Sequence, residues 1–259
     1  MNPIVVSIQG LRGTWKSSLA LSVPGEKFVF DLEYGLHRAK GFEQLSADRI
    51  YRMPIDLSIL TRFKGDLITG QTQRWEELMQ QYAKQLTDTQ FHTDVIIFDT
   101  WKEAWTLNCQ GYLQEKQTVQ IAEFRRKFPA NKQTDVELSQ TIQGFRQSLM
   151  PIEYGIPNAR MDAVMALAKQ FHKTLVLINH QRDKYVADKP TGELELDGYR
   201  KTEDLADWCL TTYTKLIDQR RMPVVRIEKN PIDDRHQGLE IQMPTWEKLM
   251  KVVGLWNQK

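Results

Sequence analysis

The stretch that decides the fold is "SIQGLRGTWKSSLAL", Ser7–Leu21. It begins within a short apolar run, Ile4–Ile8, which predicts a buried strand. The glycines after this run predict a turn, and Ser17–Leu21 predicts a helix that ends early, at Pro24 and Gly25. A strand, a glycine-rich turn and a helix in this order are typical of a loop that binds phosphate groups.

The loop matches the phosphate-loop pattern G-x-x-x-x-G-K-[ST] at Gly10, Lys16 and Ser17. Lys16 would reach the β- and γ-phosphates of a nucleotide, and Ser17 would hold Mg²⁺. Trp15 stands where the pattern has glycine, and a side chain there restricts the backbone. We expect the Trp15 N–H to face phosphate and its indole to turn away. The predicted nucleotide contacts are Gly10, Gly13, Thr14, Trp15, Lys16, Ser17 and Ser18. The alternative is an ordinary turn with a chance lysine.

Further along the chain, strands alternate with helices. Apolar runs predict buried strands at Lys27–Asp31, Asp94–Asp99 and Thr174–Ile178. Helical spacing of apolar residues occurs at Arg74–Leu86 and Met161–Phe171. This alternation predicts an α/β fold with a mainly parallel central sheet flanked by helices.

The remaining segments are additions to this α/β core. The polar, glutamine-rich residues 101–150 predict a helical insertion, and the charged residues 182–203, with a proline and two glycines, predict a mobile loop. Trp208–Leu216 and Val224–Lys229 alternate as neighbouring strands of a C-terminal antiparallel hairpin. Thr245–Val253 is a short amphipathic helix. We expect all 259 residues, 1–259, to form one domain.

Two acidic residues follow the predicted strands. Asp99 ends the strand "VIIFD" at the sheet edge where ligands of such folds gather, so it is a candidate Mg²⁺ ligand. The alternative is an aspartate that caps the next helix. Glu33 lies just beyond the second strand, in "FVFDLEYGL", and could orient or deprotonate a water molecule. The alternative there is a solvated acidic loop.

The order of these parts resembles the RecA-like ATPases, and in particular the compact phage-type ATPases of the single-strand-annealing and recombinase group. The resemblance runs discontinuously from about Ile4 to Lys229. It implies that Glu33 is the catalytic base and that "LVLINHQR" is the strand whose polar end senses the γ-phosphate. The sensor would be His180 or Gln181, since the extra histidine leaves the register open.

The resemblance also implies partners. RecA-like ATPases act as rings or filaments, so a homo-oligomer is expected, with Arg226 or Lys229 reaching the neighbouring nucleotide. These two residues alternate oppositely on a strand, so only one can face the site. A solvated edge strand is the alternative.

Single-stranded DNA is the expected macromolecular partner, and the loop over 182–203 occupies the position of the family's DNA-contacting loop. Basic residues there would follow phosphates and tyrosines would stack on bases. The candidates are Lys184, Tyr185, Tyr199, Arg200 and Lys201. Acidic neighbours cancel most of this charge, and a second basic and aromatic cluster, Phe124–Phe128, is an alternative.

Composition limits the function classes. The net charge of +2 gives no strong global field, so local patches would have to attract nucleic acid. Cys109 and Cys209 are far apart, which excludes a disulfide framework and a cysteine zinc site and fits a reducing cytoplasm. The longest apolar runs, such as Val95–Phe98, are too short to cross a membrane. We therefore expect a soluble, cytoplasmic protein with no membrane partner.

The leading hypothesis is a RecA-like enzyme that binds ATP and Mg²⁺, hydrolyses ATP and acts on single-stranded DNA in recombination or repair. The first alternative is a small-molecule kinase, for a nucleoside or nucleotide, on the same loop. The second is a non-catalytic nucleotide-binding module in which Trp15 blocks chemistry.

Overall fold

The structure, a computed structural model, describes residues 3–54, 67–87, 92–186 and 189–254. Its strands are β1 Val5–Gly10, β2 Lys27–Asp31, β3 Ile50–Tyr51, β4 Val95–Asp99, β5 Thr174–Val186, β6 Lys189–Asp197, β7 Trp208–Ile217, β8 Arg220–Lys229 and β9 Glu240–Gln242. Its helices are α1 Lys16–Leu21, α2 Gln71–Thr87, α3 Trp101–Lys127, α4 Asp135–Thr141, α5 Gly155–Gln170, α6 Thr202–Leu205 and α7 Trp246–Val252.

The strands form one mixed sheet in the order β3-β2-β4-β5-β1-β7-β8-β9, with β6 paired to β5 outside this path. All pairs from β3 to β7 are parallel. The pairs β7–β8, β8–β9 and β5–β6 are antiparallel. The predictions of a mainly parallel α/β sheet flanked by helices, and of a C-terminal antiparallel hairpin, are confirmed.

Helices cover both faces of the sheet because its central strands are apolar on both faces. Phe30, Phe98 and Leu177 pack in a cluster that includes residues of α2, α3 and α5. Ile8 and Ile97 pack on the opposite face with residues of α1 and α7. β1 ends at Gly10, opposite His180, and β4 ends at Asp99, opposite Ile178, so these two strand ends lie on either side of β5 at one edge.

The prediction of a mobile loop over 182–203 is wrong for most of its length. β5 continues to Val186 and β6 returns beside it, so the segment is an antiparallel hairpin. Its acidic and basic residues face each other across the strands, in the pairs Arg182–Glu195 at 2.8 Å and Lys184–Glu193 at 2.7 Å. Charges that cancel in the sequence are therefore cross-strand partners in the fold.

Other predicted boundaries shift. The helical prediction for 101–150 holds for α3 and α4, and Thr134 caps α4 with a reciprocal bond to Glu137, but residues 142–150 are not helical. The helix predicted from Met161 begins six residues earlier, at Gly155. The division into a single domain stays a prediction.

Within the ranges given above, no helix has both the length and the apolar character needed to cross a membrane.

Candidate functional site

A cavity of about 680 Å³ opens at the edge where β1 ends at Gly10 and β4 ends at Asp99, beside His180 of β5. We call it the first cavity. It brings the loop that follows β1 together with acidic residues that lie far away in the sequence. Its lining residues are Arg12, Gly13, Thr14, Trp15, Lys16, Ser17, Ser18, Leu32, Glu33, Tyr34, Gly35, Arg38, Ala39, Asp99, Glu103 and His180.

The glycine-rich loop, Gly10–Ser17, is fixed by its backbone. Gly10 has a φ of 154°, and a Cβ there would lie 2.2 Å from the carbonyl oxygen of Thr212, so only glycine fits. Trp15 has a φ of 75° and lies in the left-handed region that favours glycine. The chain thus keeps the backbone of a glycine position although the residue is tryptophan. The Trp15 side chain is half-buried and lines the first cavity, while the orientation of its N–H toward phosphate stays a prediction.

Lys16 is buried at the start of α1, with 5% of the residue exposed. Its Nζ donates to the carbonyl oxygens of Gly10, at 3.0 Å, and Leu11, at 2.7 Å. Burial lowers the pKa of Lys16 to about 8, although the nearby carboxylates of Asp99 and Glu33 oppose this change. The nearby negative charge therefore does not fully offset the desolvation of the buried ammonium group.

Ser17 and Asp99 form a direct pair across the edge of the sheet. The hydroxyl of Ser17 donates to Oδ2 of Asp99 at 2.8 Å. Asp99 is 6% exposed, and burial raises the pKa of its carboxyl to about 6, since the Ser17 bond offsets only part of the desolvation. Two hard oxygen atoms thus converge at a position where negative charge is poorly compensated.

Glu33 is held by two donors, one within β5 and one directly after β4. His180 Nε2 lies 3.0 Å from Oε2 of Glu33, and the Thr100 hydroxyl donates to Oε1 at 3.2 Å. The hydrogen bond from His180 lowers the pKa of Glu33 and outweighs its burial. Glu33 is therefore ionised at neutral pH, as a proton acceptor must be.

The neighbouring Asp31 has a structural task. It is fully buried, and its carboxylate binds Arg52 at 2.9 Å and accepts from the Gly35 backbone N–H at 3.0 Å. These bonds fix the turn that follows β2. Because this turn is fixed, Glu33 projects into the cavity.

The structure places one of the two sensor candidates of β5 at the first cavity, while the sensor role stays a prediction. His180 pairs with Gly10 of β1 and lines the first cavity. Gln181 is not among the lining residues, because successive strand residues point to opposite faces. Asn179 is fully buried and donates to the Ser7 hydroxyl at 3.2 Å.

Sequence reasoning missed three charged residues of the cavity, namely Arg12, Arg38 and Glu103. Burial raises the pKa of Glu103, and the charge of Glu33 adds to this effect. Glu103 could have been found from its position, since it occupies the first turn of the helix that follows Asp99. Arg38 follows a turn that gave no sequence signal.

The other predicted residues lie outside the first cavity. Arg226 pairs with Glu228 at 2.7 Å, and Lys229 Nζ donates to the carbonyl oxygens of Glu203 and Asp204, near α6. Lys184 and Tyr185 lie near the tip of the β5–β6 hairpin. Tyr199, Arg200 and Lys201 follow this hairpin and line a separate cavity.

Comparison with models of known protein families gives no match, and comparison with curated proteins gives none either. The geometry of the first cavity therefore carries the functional assignment.

Proposed function

We propose that this chain is a RecA-like ATPase that binds Mg·ATP and acts on single-stranded DNA, of the kind found in phage-type recombination or repair. One observation carries the nucleotide site. A buried lysine, a serine–aspartate pair and an ionised glutamate converge on one cavity beside a glycine-rich loop. The assignment to the RecA-like group rests on the order of these parts along the chain.

The loop and Lys16 suit the phosphates of a nucleotide. Among the described residues, the Lys16 ammonium is bound only to neutral carbonyl oxygens of its own loop, which a phosphate can replace with stronger, charge-assisted bonds. An anion beside Lys16 would restore the pKa that burial has lowered. Binding of phosphate would thus relieve the electrostatic cost of burying Lys16.

The Ser17–Asp99 pair suits Mg²⁺. Its hydroxyl and carboxylate oxygens are the hard ligands that this cation prefers, and the raised pKa of Asp99 reflects a carboxylate in need of positive charge. When bound, Mg²⁺ neutralises charge on the phosphates and orients them. Ser17 and Asp99 would contribute two ligands, with phosphate and water completing the shell.

Glu33 suits the role of general base. Its carboxylate lines the same cavity as Lys16, and its two donors, His180 and Thr100, fix its orientation. In this role Glu33 takes a proton from the attacking water while the phosphate charge is stabilised by Lys16. The contact with Glu33 also makes His180, rather than Gln181, the better candidate for the sensor.

The first experiment measures binding of Mg·ATP by calorimetry. We expect Lys16→Ala to lose most of its affinity, because it removes the only buried cation among the described lining residues. Lys40→Ala is the matched control, since Lys40 is exposed and absent from the cavity lining. Equal affinity of Lys16→Ala and the parent would refute the nucleotide site.

The second experiment measures ATP hydrolysis with and without single-stranded DNA in the parent and in Glu33→Gln. The proposal requires turnover that rises with DNA and disappears in Glu33→Gln. Binding of ATP without turnover under either condition would instead indicate a non-catalytic module. Transfer of phosphate to a nucleoside or nucleotide would indicate a kinase.

A further inference from the structure

A second cavity, also of about 680 Å³, lies between the start of α3, the start of α5 and the base of the β5–β6 hairpin. It combines aromatic and basic side chains, and its lining was not grouped by the sequence. The lining residues are Lys102, Trp105, Thr106, Pro151, Tyr154, Asn158, Arg182, Asp197, Gly198, Tyr199, Arg200 and Lys201.

Three aromatic rings form one wall of the second cavity. The Trp105 ring lies 5.1 Å from that of Tyr199 and 6.0 Å from that of Tyr154, with interplanar angles of 37° and 30°. Tyr199 is only 2% exposed, and its hydroxyl donates to the Asp162 carboxylate, which fixes the ring. Tyr199 therefore supports the wall, while Trp105 and Tyr154 are the more accessible faces.

The cations of the second cavity fall into two groups. Lys102 pairs with Asp197 at 2.6 Å, and Arg182 pairs with Glu195 and Asp197. Arg200 and Lys201 are exposed, and neither side chain has an ion-pair partner among the residues that the structure describes. Two adjacent uncompensated cations thus stand at the rim beside the aromatic wall.

We propose that the second cavity binds a nucleotide unit of a single-stranded nucleic acid. The base would stack on Trp105 and Tyr154, and the backbone phosphates would lie against Arg200 and Lys201. Stacking on any base together with cations for the backbone is how proteins hold single strands without reading sequence. This inference rests on the proposed function for its biological setting, but its binding test is independent of ATP.

The position of the second cavity also gives a route to the first. The first turn of α3 separates them, with Glu103 lining the first cavity and Lys102 and Trp105 lining the second. Asp197, which binds Lys102, lies opposite His180 in the strand pairing, and His180 contacts Glu33. A strand in the second cavity would therefore lie beside Asp197, which is paired with the strand residue that contacts the proposed base.

The test measures binding of fluorescein-labelled poly-dT and poly-rU by anisotropy over a range of salt concentrations. In the double variant Arg200→Ala/Lys201→Ala, the negative slope of log K against log salt should become shallower by about 1.4. This corresponds to about 0.7 for each of two lost phosphate contacts on a single strand. Trp105→Ala is expected to weaken binding by about 5- to 150-fold through lost stacking. Trp105→Phe, which keeps an aromatic face, should recover most of this loss.

The matched control is Arg126→Ala/Lys127→Ala, which removes the same charge from the alternative basic cluster at the end of α3, where both side chains are exposed. The proposal fails if this control weakens strand binding as much as the first double variant does. It also fails if the first double variant binds like the parent, or if the parent binds neither polymer.

A parallel measurement of Mg·ATP binding separates the two proposals. If the parent does not bind Mg·ATP but strand binding depends on Arg200 and Lys201, the proposed ATPase fails and the strand site stands. If Mg·ATP is bound and hydrolysed while strand affinity is unchanged in Arg200→Ala/Lys201→Ala, only the strand site fails.

Discussion

The two cavities have the same volume, about 680 Å³, and lie on either side of one helical turn, yet they are built differently. The first cavity contains two buried ionisable residues, Lys16 and Asp99. Burial lowers the pKa of Lys16 to about 8 and raises the pKa of Asp99 to about 6. The second has an aromatic wall, ion pairs near the surface and two cations at its rim, Arg200 and Lys201, that have no ion-pair partner among the described residues. The first cavity thus carries an electrostatic cost that a small, highly charged ligand would remove, whereas the cations of the second are paired with carboxylates or exposed to solvent.

The largest expected effect concerns the carboxylates of the first cavity. Glu33→Gln should lower ATP turnover by about 100- to 10,000-fold, because an amide cannot accept the proton of water. Glu103→Gln should lose about 10-fold at most, because no described side chain holds that carboxylate in one orientation. Steady-state hydrolysis rates compare the two. A larger loss in Glu103→Gln would move the base to that residue.

The next largest effect is on stability, and it measures how much the buried charge of Asp99 destabilises the fold. Its pKa is raised from 3.8 to about 6, so in the absence of ligand its contribution to stability falls as the pH rises through about 6. At about 1.4 kcal/mol per pKa unit this amounts to about 3 kcal/mol. Asp99→Asn should therefore unfold at higher denaturant concentration than the parent at pH 8.

The comparison uses denaturant unfolding of both proteins without nucleotide or Mg²⁺. The difference should shrink toward zero as the pH falls below about 4, where Asp99 is protonated in both states of the parent. A variant less stable than the parent at pH 8 would show that the Ser17–Asp99 bond outweighs the cost of burial.

The smallest expected effect concerns the second cavity, where a substitution should lower stability rather than raise it. Tyr199→Phe should lower the free energy of unfolding by about 1 kcal/mol, because the Asp162 carboxylate loses its donor. Tyr185→Phe is the matched control, since Tyr185 is 60% exposed and should change stability by less than about 0.5 kcal/mol. Equal stability of both variants would remove the structural role assigned to the Tyr199 hydroxyl.

Much of the central sheet could be predicted because its strands are apolar on both faces and because β2 and β4 each end in an aspartate. Lys27–Asp31 has the predicted bounds, and the strand at Asp94–Asp99 differs by one residue. Lys16, Ser17 and Asp99 could be grouped because parallel strands bring their carboxyl ends to one edge. These parts depend on local pattern and on topology rules alone.

The remainder depends on contacts between distant residues. The contact of His180 with Glu33 exists because β5 lies between β1 and β4, an order that no local pattern reveals. The β5–β6 hairpin was missed because its charges suggested a solvated loop. The alternation Glu193-Leu194-Glu195-Leu196-Asp197 was the signal that could have revealed it. The aromatic wall joins three separate elements and has no sequence signature.

The position of β1 has a consequence for synthesis of the chain. Val5 pairs with Leu175 and Val6 with Trp208, so both neighbours of this apolar strand are made long after it. At about 5–20 residues per second, β1 stays without its second neighbour for a time on the order of 10–40 s. During that interval the strand presents an open edge to other nascent chains. The strand that leads into the glycine-rich loop is therefore translated well before either of the strands that enclose it.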